Sequence, residues 1–143
     1  MKSDVIKSID IGPYNERVSA DKVVFFREPT SYEALEIFVY KHGNQKLNAV
    51  TTISDAAIRS AKNIERYKKS ELISDISECE FEEASPETFE RIFDEVVRER
   101  VSINILDVGE VLKVWVLVDE YFSKILFCET SVGYIWFRWE CSA

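Results

Sequence analysis

The chain has few cysteine and histidine residues, and this scarcity limits the chemistry it can support. Its 143 residues include Cys79, Cys128 and Cys141 at wide spacing and one histidine, His42. An odd number of scattered cysteines does not read as a disulfide framework, and the lack of a C-x-x-C pair argues against structural zinc. A Ser or Cys nucleophile would depend on His42, and no G-x-S-x-G turn accompanies it. The sequence therefore predicts no catalytic residue, no metal site and no cofactor.

Glycine and proline are also scarce. The four glycines stand isolated, so the sequence contains neither a P-loop nor a dinucleotide-binding fingerprint, and the three prolines do not mark a linker. A chain of this length supports one hydrophobic core, which predicts a single domain over residues 1–143 with no internal boundary. The sequence shows neither a secretory signal nor an apolar run long enough to cross a bilayer. We therefore expect a cytoplasmic protein without a membrane partner.

Basic residues are outnumbered by acidic ones. Eighteen Lys and Arg residues stand against 26 Asp and Glu residues, for a net charge of −8 and a pI near 4.8. Binding to nucleic acid or to anionic lipid depends mainly on attraction between basic side chains and phosphate, so this balance argues against both. It favours a basic protein as the partner, and it leaves both a monomer and a homodimer open.

The acidic excess is concentrated in one segment, "ISECEFEEASPETFERIFDE", residues 76–95. This segment holds eight acidic residues against one base, Arg91, for a local net charge of −7. If residues 77–83 form a strand, alternation places Glu78, Glu80 and Glu82 on one face. Three explanations of such a row stay open. It could prevent edge-to-edge pairing of strands, its charge could be balanced by basic residues of the same chain, or it could bind a basic partner. The partner-binding residues predicted here are Glu78, Glu80, Glu82, Glu83, Glu87, Glu90 and Asp94.

Strand-forming segments occur in both halves of the chain. They are rich in β-branched and aromatic residues, and several alternate between apolar and polar positions. The predicted strands are 22–28, 34–41, 46–53, 110–119, 123–130 and 134–140, with 77–83 as a possible seventh. Turns at 42–44 and 131–133 are expected to join neighbouring strands as hairpins.

Two helices are predicted between the blocks of strands. The first has Ser54 or Asp55 as its N-cap and runs to about Lys69, and the second has Ser85 as its N-cap and ends near Arg100. The first carries a basic stripe of Arg59, Lys62, Arg66 and Lys69, which could lie beside the acidic row and cancel it. The stripe expected to be buried in the second is Phe89, Ile92, Phe93, Val96 and Val97. This pattern predicts an α+β domain with an antiparallel sheet of about five to seven strands and two main helices covering one face.

A second candidate surface is aromatic. Alternation in 134–140 places Tyr134, Trp136 and Arg138 on one face of the strand. Trp, Tyr and Arg dominate interface hot spots, so Trp136 is the predicted aromatic anchor for a partner. The alternative is that helices cover this face and bury it.

In overall profile the chain resembles the immunity proteins that bacteria make against their own polymorphic or contact-dependent toxins. The resemblance is carried by small size, acidity, aromatic content and the lack of a catalytic motif, and it assigns no individual residue. It implies a non-enzymatic domain that inhibits a toxin by direct binding. A basic nuclease toxin would match the acidic surface, because nucleases are basic where they hold phosphate.

Two other functions stay open. One is an adaptor or structural subunit, or a homodimer, that uses the aromatic sheet face. The other is a carboxylate-dependent metal enzyme, with magnesium held at Glu78, Glu80 and Glu82 or at Asp107 and Glu110.

Overall fold

The computed structural model describes residues 20–28, 33–44, 46–62, 81–97 and 102–141. Its strands are β1 (Lys22–Glu28), β2 (Glu33–Lys41), β3 (Glu82–Ala84), β4 (Val111–Glu120), β5 (Ser123–Thr130) and β6 (Gly133–Cys141). The helices are α1 (Ala49–Lys62) and α2 (Pro86–Val97), and a short 3-10 helix spans Ile103–Leu106. Within the described residues the six strands form one antiparallel sheet in the order β1-β2-β6-β5-β4-β3. The predicted α+β class is confirmed.

The central strands of the sheet are buried on both faces. β6 lies between β2 and β5, with Phe38 opposite Trp136 and Ile37 opposite Phe137. Every residue of 35–40 and of 133–138 is buried. A strand that is apolar at nearly every position requires cover on both sides, and each helix supplies one of these covers.

The two helices pack on opposite faces of the sheet. α1 places Ile53, Ala56 and Ala57 in a cluster with Phe38 and Trp136. α2 places its stripe in the other cluster, against residues that alternate with the first set, such as Ile37 and Phe137. The expectation that both helices cover one face is therefore wrong. A helical stripe shows that a helix is buried, but it carries no information about which face of the sheet receives it.

The start of α1 differs from the prediction. Residues 46–53 do not form a strand, because the helix begins at Ala49 and the Asn48 side chain accepts a hydrogen bond from the Thr51 N–H at 2.8 Å. Asn48 is therefore the N-cap, and the proposed caps Ser54 and Asp55 both lie inside the helix. The predicted end of this helix near Lys69 lies outside the described residues.

α2 and the C-terminal strands follow their predictions closely. The helix begins at Pro86, and its buried residues are those of the predicted stripe, Phe89, Ile92, Phe93, Val96 and Val97. It ends at Val97 in the described residues, and Arg100 lies outside them. Strand β5 has the predicted bounds, and β4 and β6 agree to within one residue at each end.

Gly133, in the predicted turn at 131–133, lets β6 approach β2 closely. A Cβ atom on this residue would lie 1.8 Å from the carbonyl oxygen of Tyr40, so no other residue fits without moving the backbone. Neither described helix is both long and apolar enough to cross a bilayer.

Candidate functional site

The described part of the predicted acidic surface is exposed. Glu82 and Glu83 in β3 and Glu87, Glu90 and Asp94 in α2 all lie on the surface. Glu78 and Glu80 lie outside the described residues, as does Cys79, so the predicted carboxylate row can be followed only at Glu82.

The pairing of β3 with β4 separates the two glutamates of that short strand. Glu82 lies opposite Val116, which packs in the α2 cluster, whereas Glu83 lies opposite Trp115, which belongs to the α1 cluster. Side chains directly opposite in an antiparallel pair share a face. Glu82 is therefore on the α2 side of the sheet, and Glu83 is on the α1 side.

The outer side of α2 carries the acidic face, which we define as Glu87, Glu90 and Asp94. These residues occur at i, i+3 and i+7, so they form one stripe opposite the buried stripe. The one base on this helix, Arg91, places Nη1 3.5 Å from Glu95 and Nη2 3.9 Å from Asp119. The predicted Arg91–Glu95 pair is thus present, and it leaves the stripe itself uniformly acidic.

An acidic groove of about 520 Å³ begins where α2 begins. Pro86, Glu87 and Glu90 form one wall, and the segment from Ile103 to Val111 supplies the rest of the lining, including Asp107 and Glu110. Four carboxylates from two distant parts of the sequence therefore surround one groove. From the sequence, Asp107 and Glu110 are candidates only as metal ligands, because nothing in the sequence shows that they lie beside the start of α2.

The groove wall that carries Asp107 and Glu110 is held in place by backbone hydrogen bonds. The Glu110 N–H donates to Ser131 Oγ at 2.9 Å, and the Ser131 N–H donates to the Glu110 carbonyl at 2.8 Å. Asp107 has left-handed backbone angles (φ 49°, ψ 51°), and Gly109 has φ 69°. A Cβ on Gly109 would lie 2.2 Å from Ser131 Oγ. The carboxylates are thus presented from a fixed loop, which lowers the entropy cost of binding.

Lys41 contacts the groove rim. Lys41 Nζ lies 3.1 Å from Asp107 Oδ2, in a pair whose aspartate side chain is 83% exposed. An ion pair this open to water is weak, so a cation from a partner could replace Lys41 at little cost.

Trp136 lies in the core, and the prediction that it anchors a partner from the surface is wrong for this structure. The side chain is fully buried, and its indole N–H donates to Glu36 Oε1 at 3.1 Å. Tyr134 and Trp115 are buried in the same cluster, beneath α1. Of the two alternatives for the aromatic face, the helix-covered one is observed, because both faces of the central strands need cover.

Trp136 belongs to a buried polar network between α1 and the sheet. Glu36 accepts hydrogen bonds from Ser60 Oγ, from Trp136 and from the guanidinium of Arg138, whose Nε and Nη2 lie 3.0 and 3.3 Å from the two carboxylate oxygens. Burial alone lowers the pKa of Arg138, but the charge of Glu36, followed by that of Glu140, outweighs this and raises it. Arg138 therefore stays charged and neutralises Glu36.

A second polar group joins α1 to β2. Tyr40 donates to Asp55 Oδ2 at 2.7 Å, and Arg59 Nε lies 3.3 Å from the same oxygen. Burial, followed by the Asp55 charge, raises the pKa of Tyr40 far above its ordinary value. Arg59, the first residue of the predicted basic stripe, is half-buried and is therefore paired with Asp55 of its own helix. The side chains of the other three stripe residues lie outside the described set.

His42 and the described cysteines do not assemble a site. His42 is half-buried, and its Nδ1 accepts a hydrogen bond from the Leu47 N–H at 3.0 Å. Cys128 is fully buried, which raises the pKa of its thiol, and Cys141 is half-buried; both are free thiols. Among the described residues, no three His, Cys, Asp or Glu side chains are grouped so as to hold a metal ion.

Comparisons with protein-family models, with curated proteins and with solved structures find no significant match to this chain.

Proposed function

We propose that this protein is a non-enzymatic inhibitor that binds a basic protein, as an immunity protein binds its cognate toxin. One observation carries the proposal: the acidic face of α2 runs into the acidic groove. Glu87 and Glu90 belong to both, so the two form one surface with Glu82 on the same side of the sheet. A basic nuclease toxin is the partner class that this surface fits best.

The physical basis is electrostatic steering. A cluster of like charges on one side of a protein attracts a partner of opposite charge over a Debye length of roughly 8 Å at physiological salt. Steering of this kind raises association rates by about 10- to 1,000-fold and loses strength as salt increases. Basic residues that hold phosphate in a nuclease would be covered by the carboxylates, which blocks the substrate directly.

The proposal also places the protein in the cytoplasm. Its two described cysteines are free thiols, and a reducing compartment keeps thiols in this form. The cytoplasm is where an inhibitor would protect the cell that makes a nuclease.

The test is affinity capture from lysate of the source organism at low and at high salt, with mass spectrometry of the retained proteins. We expect one basic protein that is retained at low salt and released at high salt, and whose enzymatic activity falls on addition of the inhibitor. With the purified partner, the variant E90K should lower the association rate several-fold, and E87K/E90K should lower it by at least about tenfold.

The variant E83K is the matched control. It makes the same charge change on an exposed glutamate, but on the α1 side of the sheet. If E83K and E90K slow association equally, net charge rather than this surface governs binding. If no basic protein is retained, or if its activity is unchanged, the inhibitor proposal fails.

A further inference from the structure

The hairpin that joins β4 to β5 ends in two exposed aromatic residues. Glu120 pairs with Ser123, so the turn consists of Tyr121 and Phe122. Their relative exposures are 83% and 45%. The two rings pack against each other edge to face, with centroids 4.7 Å apart. We call this pair the aromatic tip.

Turn geometry does not account for these residue types. Two-residue hairpin turns favour Gly, Asn and Asp, because the turns that match strand twist need positive φ. Among the described residues, positive φ occurs at Asp107 and Gly109, so Tyr121 and Phe122 adopt ordinary negative values. Core packing does not account for Tyr121 either, because most of its side chain faces water. Two large aromatic side chains at such a position break a local rule, and such positions are often functional.

Hydrogen bonds to β6 hold the backbone of the aromatic tip in place. The Cys141 N–H of β6 donates to the Phe122 carbonyl at 2.9 Å, and Glu140 pairs with Ser123. Just below the turn, Lys124 Nζ contacts Asp119 Oδ1 at 2.6 Å across the two strands. Rigid aromatic side chains on a fixed backbone lose little entropy on binding, which is why Tyr and Trp recur as interface anchors.

The tip borders the acidic surface. Arg91 of α2 reaches Asp119, two residues before Tyr121, with Nη2 3.9 Å from Oδ2. Asp119 and Glu120 add two further carboxylates immediately beside the aromatic rings. Asp119 is already paired with Lys124 and Arg91, so Glu120 is the carboxylate that favours a basic partner beside the rings. Because Arg91 lies on the same helix as the acidic face, a partner that lies along that face comes within reach of the tip.

We infer that Tyr121 and Phe122 are the apolar anchor of the partner interface and insert into an apolar pocket that is rimmed by Lys or Arg on a basic protein. This inference rests on the proposed function and adds a second contribution to it. The acidic face governs how fast the partner arrives, and the aromatic tip governs how long it stays. The role that the sequence assigned to Trp136 thus passes to residues that are on the surface.

The test uses the full chain with a photoreactive benzophenone amino acid in place of Tyr121. The matched control carries the same group at Phe25, which is 47% exposed on β1, at the opposite edge of the sheet from β4 and the acidic groove. Both proteins are irradiated in lysate of the source organism, and the products are identified by mass spectrometry. We expect position 121 to cross-link to a basic polypeptide, and position 25 not to do so.

A kinetic measurement completes the test. The polypeptide retained at low salt by the wild-type protein is purified, and its binding to Y121S/F122S and to E90K is followed by surface plasmon resonance. We expect Y121S/F122S to raise the dissociation rate at least about tenfold with little change in association rate. We expect E90K to lower the association rate several-fold with little change in dissociation rate.

The outcomes separate the inference from the proposed function. If E90K slows association but Y121S/F122S dissociates like the wild type, or position 121 gives no specific product, the acidic surface binds and the tip does not. If position 121 cross-links to a second copy of this chain, the tip is a self-association surface and the inference is overturned. If no basic polypeptide is retained, the proposed function fails first.

Discussion

The two faces of the sheet are built on different principles. Along β2, Glu36, Phe38 and Tyr40 turn toward α1, while the residues between them, such as Ile37 and Val39, turn toward α2. The α2 face is an apolar cluster of aliphatic and phenylalanine side chains. The α1 face combines apolar side chains with buried ion pairs that include Glu36 and Arg138.

The difference shows two ways of specifying a core. An apolar face is defined by volume and pattern, and it accepts many combinations of residues that fill the space. A polar face is defined by partners, because each buried charge is tolerated only while its counterpart is present. We therefore expect the α1 face to be sensitive to any change of partner, and the α2 face to be sensitive mainly to loss of volume.

The largest expected effect comes from breaking the buried ion pair. Arg138→Met leaves the Glu36 carboxylate uncompensated, and we expect the free energy of unfolding to fall by about 3–5 kcal/mol. The double variant Glu36→Gln/Arg138→Met removes both charges but keeps an acceptor for Ser60 and Trp136. It should recover part of that loss in urea denaturation. A strictly additive double variant would show that the two residues act independently.

Alkaline pH should destabilise both faces of the sheet, and the pH at which the loss of stability begins should differ between them. Burial raises the pKa of Cys128 on the α2 face and of Tyr40 on the α1 face above the ordinary values of 9.0 and 10.0. A raised folded-state pKa gives stability that is complete below the unfolded-state value and is lost as pH rises. Urea denaturation should thus show a fall that begins near pH 9 and steepens near pH 10, by up to about 1.4 kcal/mol per pH unit for each group.

Two variants show which residue causes each part of the fall in the free energy of unfolding at alkaline pH. Cys128→Ala should abolish the part that begins near pH 9, and Tyr40→Phe should reduce the part that begins near pH 10. Tyr134 contributes with the same sign, since burial and then the Glu129 charge raise its pKa. A slope that neither variant changes would mean that other groups control the alkaline transition.

The apolar face should tolerate substitutions that keep volume. Phe89 is fully buried and contacts Phe93 and Phe137 with centroid distances of 5.7 and 6.2 Å. Phe89→Leu keeps four of the seven side-chain carbons, so we expect it to cost clearly less in thermal or chemical unfolding than Phe89→Ala, which should cost about 3–5 kcal/mol. Equal costs for the two would mean that ring contacts, rather than volume, define this face.

The smallest effects are expected on the surface outside both faces. E90K and Y121S/F122S alter exposed side chains, so each single change should shift the free energy of unfolding by no more than about 0.5 kcal/mol. A matched thermal melt of each variant checks this. A large loss would show that the side chain supports the fold, and binding results from that variant would then report stability.

Much of the fold could be predicted from local pattern, and the exceptions have physical reasons. β5 is a short run of mostly apolar residues and the buried stripe of α2 is strongly periodic, and both are as predicted. The predicted start of α1 is wrong because residues 50–53 are all β-branched and favour strands intrinsically. The Asn48 cap and the burial of Ile53 decide the outcome instead. The acidic groove could not be predicted, because Glu87 and Asp107 meet only through tertiary packing.

The position of β6 also has a consequence for how the molecule is made. β6 lies in the middle of the sheet, although it is the last described strand, and it carries Arg138, whose partner Glu36 lies 102 residues earlier. A ribosome adds about 5–20 residues per second, so β6 is synthesised several seconds after β2, the strand that it must lie beside. During that interval β1 and β2 form no more than an isolated hairpin, which is marginally stable in water. Final closure of the sheet is therefore a late event in biosynthesis, and it depends on contacts of long sequence separation, which form slowly.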